Sequence, residues 1–543
     1  MKRKAVAAVL TAVMVASMFT GCGSDKGSSS AKSTSAASAA NDTVDEDGKV
    51  NGIMYQEGLP LVDEGAYTFS IFCDDSSESG EFIMLDEFKK QTNVDVDLKI
   101  YPYETATERL NLDLNSGDYA DVIGGWTLSD NAILTYGVNQ GVFIPLEDYF
   151  EKYCPNISAI LDLPGVREKM TAPDGHIYTI PYVCADSTVG YSPYINTKWL
   201  ENVGMSMPTT TDEFEAVLKA FKEQDANGNG DASDEIPFST DPNNKHIEAM
   251  AGYFGLPMNK LGIAIQNEKV VYGGVSDTYR EFLSWFHKLY AEGLVDVELY
   301  TQDSSTWEGK GNQDLYGVSI AYGSGEFTGI LAAEERGDFD SMPVLNTDKD
   351  GIWLRDTEGF SVYRTQAVIT NKAEHPEIIC RWFDNAFALE NGIGCNRGPV
   401  GVIVNKEDDG YHAIDTTTLS EEDQEKYSWG NLWPQSLPKY LPADFEFVEE
   451  HPMYDEKKAT EEAYEANLTK EIIPSYWIDL DKIDTFSDTN TAIKDFFEQQ
   501  QAQFVCGELD IDNDADWQAY VDGMYSLGLE DWVATQGIEE IAK

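Results

Sequence analysis

Positive charge is scarce in this sequence. Its 543 residues include 38 Lys and Arg against 96 Asp and Glu, which gives a formal net charge of −58. A chain this acidic repels nucleic acids and anionic lipid, so we expect no nucleic-acid partner. A polyanionic ligand would need a local basic pocket, which the total charge does not exclude. The aromatic content of 12% is enough to build a core, which argues against whole-chain disorder.

Cysteine and histidine are also few. The 7 Cys and 6 His are widely spaced, with no CxxC motif and no Cys/His cluster. This spacing argues against a zinc or redox site, and no catalytic cofactor is expected. A chain of this length needs no disulfides for its stability. We therefore expect the cysteines that follow Cys22 to be mostly buried thiols.

Long apolar runs are missing after the N-terminus, where no segment approaches the ~18 residues of a transmembrane helix. Residues 1–21 combine a basic start with a short apolar stretch, which predicts a signal peptide. Small residues before Cys22 resemble a bacterial lipobox, with Phe19 where Leu is usual. The resemblance implies cleavage and lipidation at Cys22, hence a lipid anchor on the extracytoplasmic face of the cell membrane. The alternative is a plain secretory signal with an incidental cysteine.

Residues 22–60 are predicted to comprise the lipidated cysteine and a flexible tether. The segment 23–52 is rich in Ser, Ala and Gly and contains no aromatic residue. Such a composition cannot bury enough apolar surface to fold. The folded sequence is expected to begin between Ile53 and Tyr67.

Alternating patterns then predict an α/β fold. Residues 67–73 and 94–100 alternate between apolar and polar positions, and residues 81–92 between them have a helical pattern. This βαβ unit implies a parallel sheet. A loop, a short buried strand and two glycines follow in residues 117–126. Ligands of open α/β sheets bind just beyond such strand ends.

Helical signals follow further along the chain. Thr210 and Glu213 have the spacing of a capping box. Apolar residues with helical periodicity follow it, at Phe214, Val217, Leu218 and Phe221. The C-terminal part is predicted to be mostly helical, and no internal repeat is present.

Taken together, several segments resemble the extracellular solute-binding lipoproteins of ABC transporters, in particular the large sugar- and oligosaccharide-binding branch. The resemblance rests on the lipobox with its tether and on three further stretches. These are residues 112–122, which are similar to an "L-x-SGD-x-PDV" segment, residues 174–200, and residues 208–225. The matches occur in order and span most of residues 1–240.

The resemblance implies two α/β lobes that are joined by crossing strands and close on a ligand about a hinge. We expect residues 61–183 with 364–415 to form the N-terminal lobe, and residues 184–363 with 416–543 to form the C-terminal lobe. The implied function is capture of a carbohydrate, and an oligosaccharide in particular, for the permease subunits of an ABC importer. The protein would act as a monomer and catalyse no reaction.

A sugar presents apolar ring faces and hydroxyl edges, so its site needs flat aromatic rings beside polar side chains. Trp126 follows a strand end and two glycines and fits this role, although a core position is the alternative. Other candidates lie near the expected first interlobe crossing or in later aromatic–polar clusters, for which packing between helices is the alternative. They are Tyr182, Asp186, Tyr191, Trp353, Arg355 and Trp429.

One loop resembles a calcium site. Residues 225–236 place oxygen-bearing side chains at positions 1, 3 and 5 and glycine at position 6. Position 12 is Ile236 instead of the bidentate Glu of an EF-hand. The solute-binding family closes a similar loop with an Asp-Glu pair, which here stands one residue late. The candidate ligands of a structural Ca²⁺ are Asp225, Asn227, Asn229, Asp231 through its carbonyl, Asp234 and Glu235; a metal-free acidic loop is the alternative.

Two other classes of function compete with solute binding. An extracellular lipoprotein glycoside hydrolase would also have an aromatic cleft, and two carboxylates suffice for its chemistry. A (β/α)8 hydrolase needs eight regular βα units, whereas the C-terminal part here is mostly helical. A surface adhesin predicts repeats and an all-β pattern, and neither is present.

Overall fold

The computed structural model describes residues 42–75, 81–241, 246–329, 338–442, 445, 447–448 and 452–542. The predicted signal peptide, the lipidation site Cys22 and the first part of the tether lie outside these residues. Lys49–Val50 and Met54–Tyr55 form an antiparallel hairpin, and Val50 and Met54 are buried in a hydrophobic core. Folded structure therefore begins earlier than the predicted end of the tether, because this hairpin carries two core side chains.

A five-stranded sheet lies at the centre of the first lobe. In spatial order its strands are Val94–Tyr101, Tyr67–Asp74, Val122–Gly124, Phe360–Ile369 and Thr179–Ala185. Tyr67–Asp74 is parallel to both of its neighbours, while Phe360–Ile369 is antiparallel to both of its own. The helix Ile83–Thr92 joins Tyr67–Asp74 to Val94–Tyr101, which confirms the predicted βαβ unit.

A four-stranded sheet lies at the centre of the second lobe. In spatial order its strands are Phe339–Ser341, Ser192–Asn196, Tyr316–Ala321 and Ile236–Thr240. Tyr316–Ala321 is parallel to Ile236–Thr240 and antiparallel to Ser192–Asn196. A smaller three-stranded sheet consists, in spatial order, of Glu540–Ile541, Lys269–Tyr272 and Ile263–Gln266. A two-stranded sheet pairs Val404–Glu407 with Gly410–Ala413.

Helices cover the sheets. The α-helices of the first lobe and the segments that return to it include Tyr103–Ser116, Asp130–Ala132, Glu147–Tyr153, Pro155–Leu161, Val166–Met170, Pro376–Ala386, Leu389–Arg397 and Glu421–Lys426. Those of the second lobe and the C-terminal part include Thr197–Val203, Thr211–Glu223, Asp277–Ala291, Ser304–Gly311, Gly325–Thr328, Pro452–Tyr464, Ile483–Cys506, Asp514–Ser526 and Leu529–Thr535. A π-helix spans Ile133–Asn139, and 3₁₀ turns span Ile247–Phe254, Thr416–Thr418, Trp429–Asn431, Glu465–Asn467 and Leu480–Lys482. The helical C-terminal part is as predicted.

The predicted helix start at Thr210 shows how local sequence fixes these elements. The Thr210 side chain accepts a hydrogen bond from the backbone N–H of Glu213, so it caps the helix Thr211–Glu223. The apolar residues of the predicted periodic pattern are all buried: Phe214, Val217, Leu218 and Phe221. They belong to the core of the second lobe.

Two large hydrophobic cores correspond to the two lobes, as the α/β prediction with two lobes requires. One core draws its buried residues from 50–183, 367–395 and 433–437, and the other draws them from 189–353 and 464–542. Trp433 and Leu437, which the predicted boundaries assign to the second lobe, pack in the core of the first. The outer limits of the lobes stay a prediction.

The described cysteines are free thiols, and four of them are buried: Cys73, Cys154, Cys380 and Cys395. Cys184 is half-buried and Cys506 is exposed. Among the residues that the structure covers, none of the helices has the length and apolar character needed to cross a membrane.

Candidate functional site

Two antiparallel strands bring together the first pair of aromatic rings. Tyr182 of Thr179–Ala185 lies directly opposite Tyr363 of Phe360–Ile369 in the register of the sheet. Directly opposite side chains share one face of a sheet. Their rings stack with centroids 5.6 Å apart and an interplanar angle of 20°. Tyr182 is a predicted site residue, whereas Tyr363 is not.

Trp126 completes this group from the end of a third strand. Its ring is 44% exposed and lies edge-on to Tyr363, with centroids 5.2 Å apart. The backbone N–H groups of Trp126 and Thr127 donate to the two carboxylate oxygens of Asp74 at 2.9 and 2.6 Å. Burial raises the pKa of Asp74, and these two donors oppose that rise. Trp126 is therefore an exposed ring on a firmly held turn and not a core residue.

The turn also requires its glycine. Gly125 has φ +130°, and a Cβ atom there would lie 2.3 Å from Oδ1 of Asp74. Any larger residue would displace the carboxylate that holds the backbone of Trp126. Sequence reasoning missed Asp74, although its position at the end of the strand Tyr67–Asp74 follows the same strand-end rule that predicted Trp126.

Asp186 is the polar centre of the site. Its Oδ2 accepts hydrogen bonds from the Ser361 hydroxyl at 2.6 Å and from the Tyr363 hydroxyl at 3.0 Å. Its Oδ1 accepts from the hydroxyl of Tyr322 at 3.2 Å. Because Tyr322 follows the strand Tyr316–Ala321, Asp186 connects the crossing strands to the sheet of the second lobe.

The second lobe adds two aromatic rings and a lysine. Tyr191 stacks on His246, with ring centroids 4.1 Å apart, and lies edge-on to Tyr322 at 6.1 Å. Nζ of Lys457 lies 4.1 Å from the centre of the Tyr322 ring and donates to the carbonyl of Gly190 at 2.5 Å. Burial lowers the pKa of Lys457 to about 8. Tyr191 is a predicted site residue; the strand-end rule could have found Tyr322, whereas nothing in the sequence indicated Lys457.

Trp429 joins the group through a buried lysine. Nζ of Lys439 lies 5.2 Å from the ring centre of Tyr182 and 5.9 Å from that of Trp429. Lys439 is 1% exposed, and burial lowers its pKa to about 8. The Trp429 ring is 58% exposed. We call the six rings the aromatic cluster: Trp126, Tyr182, Tyr191, Tyr322, Tyr363 and Trp429.

The structure does not bring Trp353 to this cluster. Trp353 is 1% exposed and packs in the second core against Tyr253 and Tyr464, with ring centroids 5.8 and 5.5 Å away. A ligand cannot stack on a ring that other side chains cover almost completely. Trp353 is therefore a packing residue of the second core, which was the alternative to a role in the site.

Arg355 also lies apart from the aromatic cluster. Its Nε donates to the carbonyl of Thr469 at 3.1 Å, and it lines a cavity of about 630 Å³ together with Asp130. Asp130 pairs with Arg364, which follows Tyr363 in its strand. None of the six rings of the aromatic cluster lines this cavity.

The predicted calcium loop folds around its own side chains. Gly230 donates to Oδ2 of Asp225 at 3.0 Å, and Ala226 donates to Oε1 of Glu235 at 2.8 Å. The amide groups of Asn227 and Asn229 donate to Asp234 at 3.3 and 2.8 Å. The loop therefore brings its first residue close to the closing Asp-Glu pair, although that pair stands one residue late.

Two oxygens of this loop are buried without a hydrogen-bond partner, Oδ1 of Asp225 and Oε2 of Glu235. Buried carboxylate oxygens without a donor are unfavourable unless a cation compensates them. Burial also raises the pKa of Glu235. These oxygens fit a Ca²⁺ ion, which binds through carboxylate, amide and backbone oxygens. Asp231 is the candidate that would contribute its carbonyl, and Oδ1 of its side chain accepts from the backbone N–H and the hydroxyl of Ser233.

Comparison with known proteins identifies the class. The family described as bacterial extracellular solute-binding protein matches residues 76–392, so the chain belongs to this family. It is 32% identical, over 67% of this chain and 68% of the relative, to the fructooligosaccharide ABC transporter substrate-binding protein FusA of Streptococcus pneumoniae. It is 28% identical, over 50% of this chain and 52% of the relative, to the lipoprotein LipO of Bacillus subtilis.

Solved structures of S. pneumoniae FusA resemble the fold described above. FusA in complex with kestose superposes with a TM-score of 0.76 at 26% identity, over 86% of this chain and 98% of that one. A FusA EF-hand mutant in complex with fructo-nystose superposes with a TM-score of 0.75 at the same identity and coverage. The two-lobe α/β architecture predicted from the sequence is thereby confirmed.

Proposed function

We propose that this protein is a lipid-anchored, monomeric substrate-binding protein that captures an oligosaccharide and delivers it to the permease of an ABC importer. The observation that carries the proposal is the aromatic cluster. Exposed rings from the first lobe, tyrosines from the second lobe and the central carboxylate of Asp186 meet where the chain crosses between the lobes. Closure of two lobes on such a surface would enclose a ligand.

The chemistry of the cluster suits a sugar. Trp126 and Trp429 are 44% and 58% exposed, so their rings can cover apolar ring faces of a sugar. The tyrosine hydroxyls that Asp186 positions can exchange hydrogen bonds with sugar hydroxyls. Both tryptophans lie beside Tyr182, one through ring contact and the other across Lys439. Two separate exposed platforms favour an oligosaccharide over a single sugar unit. The printed name of FusA supports the same class of ligand.

The hydrolase alternative receives no support from the relatives, because FusA is named a substrate-binding protein. Hydrolysis needs one carboxyl group as acid and a second as nucleophile or base. The carboxylate at the centre of the cluster instead accepts hydrogen bonds from three hydroxyl groups of the protein. This arrangement suits a positioning role for Asp186.

Thermal-shift measurements against mono- and oligosaccharides test the proposal. Ligand that binds only the native state raises the melting temperature by mass action. We expect at least one oligosaccharide of three or more units to raise it, with a smaller shift for the corresponding monosaccharide. A complete panel without any shift, repeated by calorimetry, would contradict carbohydrate binding.

The lipid anchor is tested at Cys22. Because the thiol of Cys22 would carry the lipid, Cys22→Ala is expected to move the protein from the membrane fraction to the soluble fraction, as measured by fractionation and blotting. Cys506→Ala is a matched control, because Cys506 is an exposed thiol of the folded part. Equal membrane retention of the two variants would count against the anchor.

The calcium loop is tested by chelation. If Ca²⁺ neutralises the buried oxygens of Asp225 and Glu235, EDTA should lower the melting temperature and added Ca²⁺ should restore it. Asp225→Ala should abolish the response, whereas the exposed Asp118→Ala, outside the loop, should retain it. Elemental analysis of the purified protein detects any Ca²⁺ that EDTA fails to remove. A protein that lacks calcium and whose melting is indifferent to both additions would rule the site out.

A further inference from the structure

The charge around the aromatic cluster is mostly negative on the side of the second lobe. Glu326 accepts from the backbone N–H of Tyr322 at 2.9 Å, and Asp186 accepts from its hydroxyl. Burial is the main cause that raises the pKa of Tyr191, and the negative charges of Glu326 and Asp241 raise it further. Burial and then Asp186 raise the pKa of Tyr322 and of Tyr363. A ligand carboxylate placed among these hydroxyls would meet the same repulsion.

The lysine on this side is already compensated. Lys457 is 8% exposed, and its ammonium group is shared between the Gly190 carbonyl and the Tyr322 ring. The carboxylates whose charges act on it are Glu326, Asp356, Glu456 and Glu461. An anionic ligand would have to compete with these protein carboxylates for one cation.

The lysine of the first lobe is the strongest alternative receptor for an acidic sugar, because Arg397 lies close enough to lower its pKa further. However, Nζ of Lys439 faces the rings of Tyr182 and Trp429 and donates to Oε1 of Gln435 at 2.5 Å. Asp75, which is 3% exposed, is already a counter-charge for this ammonium group, because its carboxylate acts to raise the pKa of Lys439. A buried ammonium group behind two rings offers an incoming carboxylate little access.

We infer that this site takes neutral oligosaccharides, which it recognises through hydroxyl groups and ring faces, and that it rejects oligosaccharides that carry carboxylates, such as uronates. The inference rests on the proposed function and specifies its substrate class. The formal net charge of −58 acts in the same direction at long range. Discrimination of this kind needs only repulsion of the wrong ligand, since the sugar rings themselves are alike.

The test compares ligands that differ only in charge. Fructo-, gluco-, galacto- and manno-oligosaccharides of three to five units are titrated into the wild-type protein by calorimetry, beside trigalacturonate and an alginate trimer. The neutral sugar that binds is then oxidised at its primary hydroxyls to carboxylates and titrated again. We expect the oxidised form to bind at least about a hundredfold more weakly, the effect of one charge repulsion at ~6 Å in a partly buried site.

Salt dependence and one variant add a second readout. Binding of the neutral sugar should change less than about twofold between low and physiological ionic strength, whereas residual binding of the oxidised sugar should strengthen as salt screens the repulsion. Lys439→Met should leave the preference for the neutral form in place. Tighter binding of a uronate than of every neutral sugar would overturn the inference while leaving carbohydrate binding established, and its loss in Lys439→Met would assign the acid group to Lys439. Failure of every neutral and acidic sugar to bind would overturn the proposed function itself.

Discussion

Replacing Trp126 by alanine is expected to weaken binding of the cognate sugar about five- to thirtyfold. The ring is 44% exposed beside Tyr182 and Tyr363, so it is available to cover a sugar face. Loss of one such stacking contact costs about 1 to 2 kcal/mol, and each 1.4 kcal/mol is about tenfold in affinity. Calorimetry measures the change, and circular dichroism should report an intact fold because the ring is not part of a core.

A matched control separates stacking from general loss of aromatic surface. Tyr525 is 43% exposed and belongs to the helix Asp514–Ser526, outside the aromatic cluster, so Tyr525→Ala should bind like the wild type. The wild type should also return the same oligosaccharide uncleaved after prolonged incubation. Cleavage products in chromatography would overturn the transport function in favour of a hydrolase. Unchanged affinity in Trp126→Ala would remove only Trp126 from the site.

The parts of the cluster and of the fold that the sequence could indicate are those with a local signal. Trp126 follows a strand and two glycines, and the strand-end rule needs no knowledge of distant segments. The helix after Thr210 could also be predicted from the sequence, because its N-cap and its periodic apolar residues lie within a few residues of one another. Tyr182 and Asp186 are predicted from the position of the expected interlobe crossing, and the structure places both in or beside the aromatic cluster.

Other parts of the site depend on contacts between distant segments. Tyr363 lies opposite Tyr182 only because two strands pair across more than a hundred residues of sequence. Lys457 comes from the helix Pro452–Tyr464, and nothing in its neighbourhood indicates a contact with Tyr322. Trp353 illustrates the opposite failure. An aromatic residue beside an arginine looks like a sugar platform in the sequence, but Tyr253 and Tyr464 enclose its ring.

The lobe limits show the same dependence. Few motifs can be recognised in the sequence after residue 385, so the sequence does not indicate that the chain returns to the first lobe. The structure packs Trp433 against Phe88 and Trp382 of that lobe, with ring centroids 5.1 and 5.7 Å away. Such a return is a matter of tertiary packing, which outweighs local propensity. It also carries Trp429 and Lys439 to the cluster.

Asp186→Asn is expected to have the larger effect on binding, about thirty- to a hundredfold. The substitution keeps the shape of the side chain but removes the charge that accepts hydrogen bonds from Ser361, Tyr363 and Tyr322. Hydrogen bonds to a charged group contribute about 1.5 to 3 kcal/mol each, and neutral ones about half as much. If Nδ2 of Asn takes the place of Oδ2, the hydroxyls of Ser361 and Tyr363 must accept from it instead of donating, so the charge-assisted bonds are lost and the proton direction of these hydroxyls changes. Calorimetry with the cognate sugar measures the loss, and thermal melting measures the accompanying destabilisation.

Two further variants decide whether Asp186 positions the tyrosines for the ligand or only stabilises the fold. Asp174→Asn is the matched control, because Asp174 accepts a hydrogen bond from the Tyr178 hydroxyl at 2.7 Å outside the cluster. It should lower the melting temperature slightly and leave affinity unchanged. Tyr363→Phe removes one donor of the cluster and should weaken binding by less than Asp186→Asn does. If Asp186→Asn lowered the melting temperature but bound the sugar as tightly as the wild type, Asp186 would be a structural residue, and recognition of sugar hydroxyls would have to be assigned to other groups of the cluster.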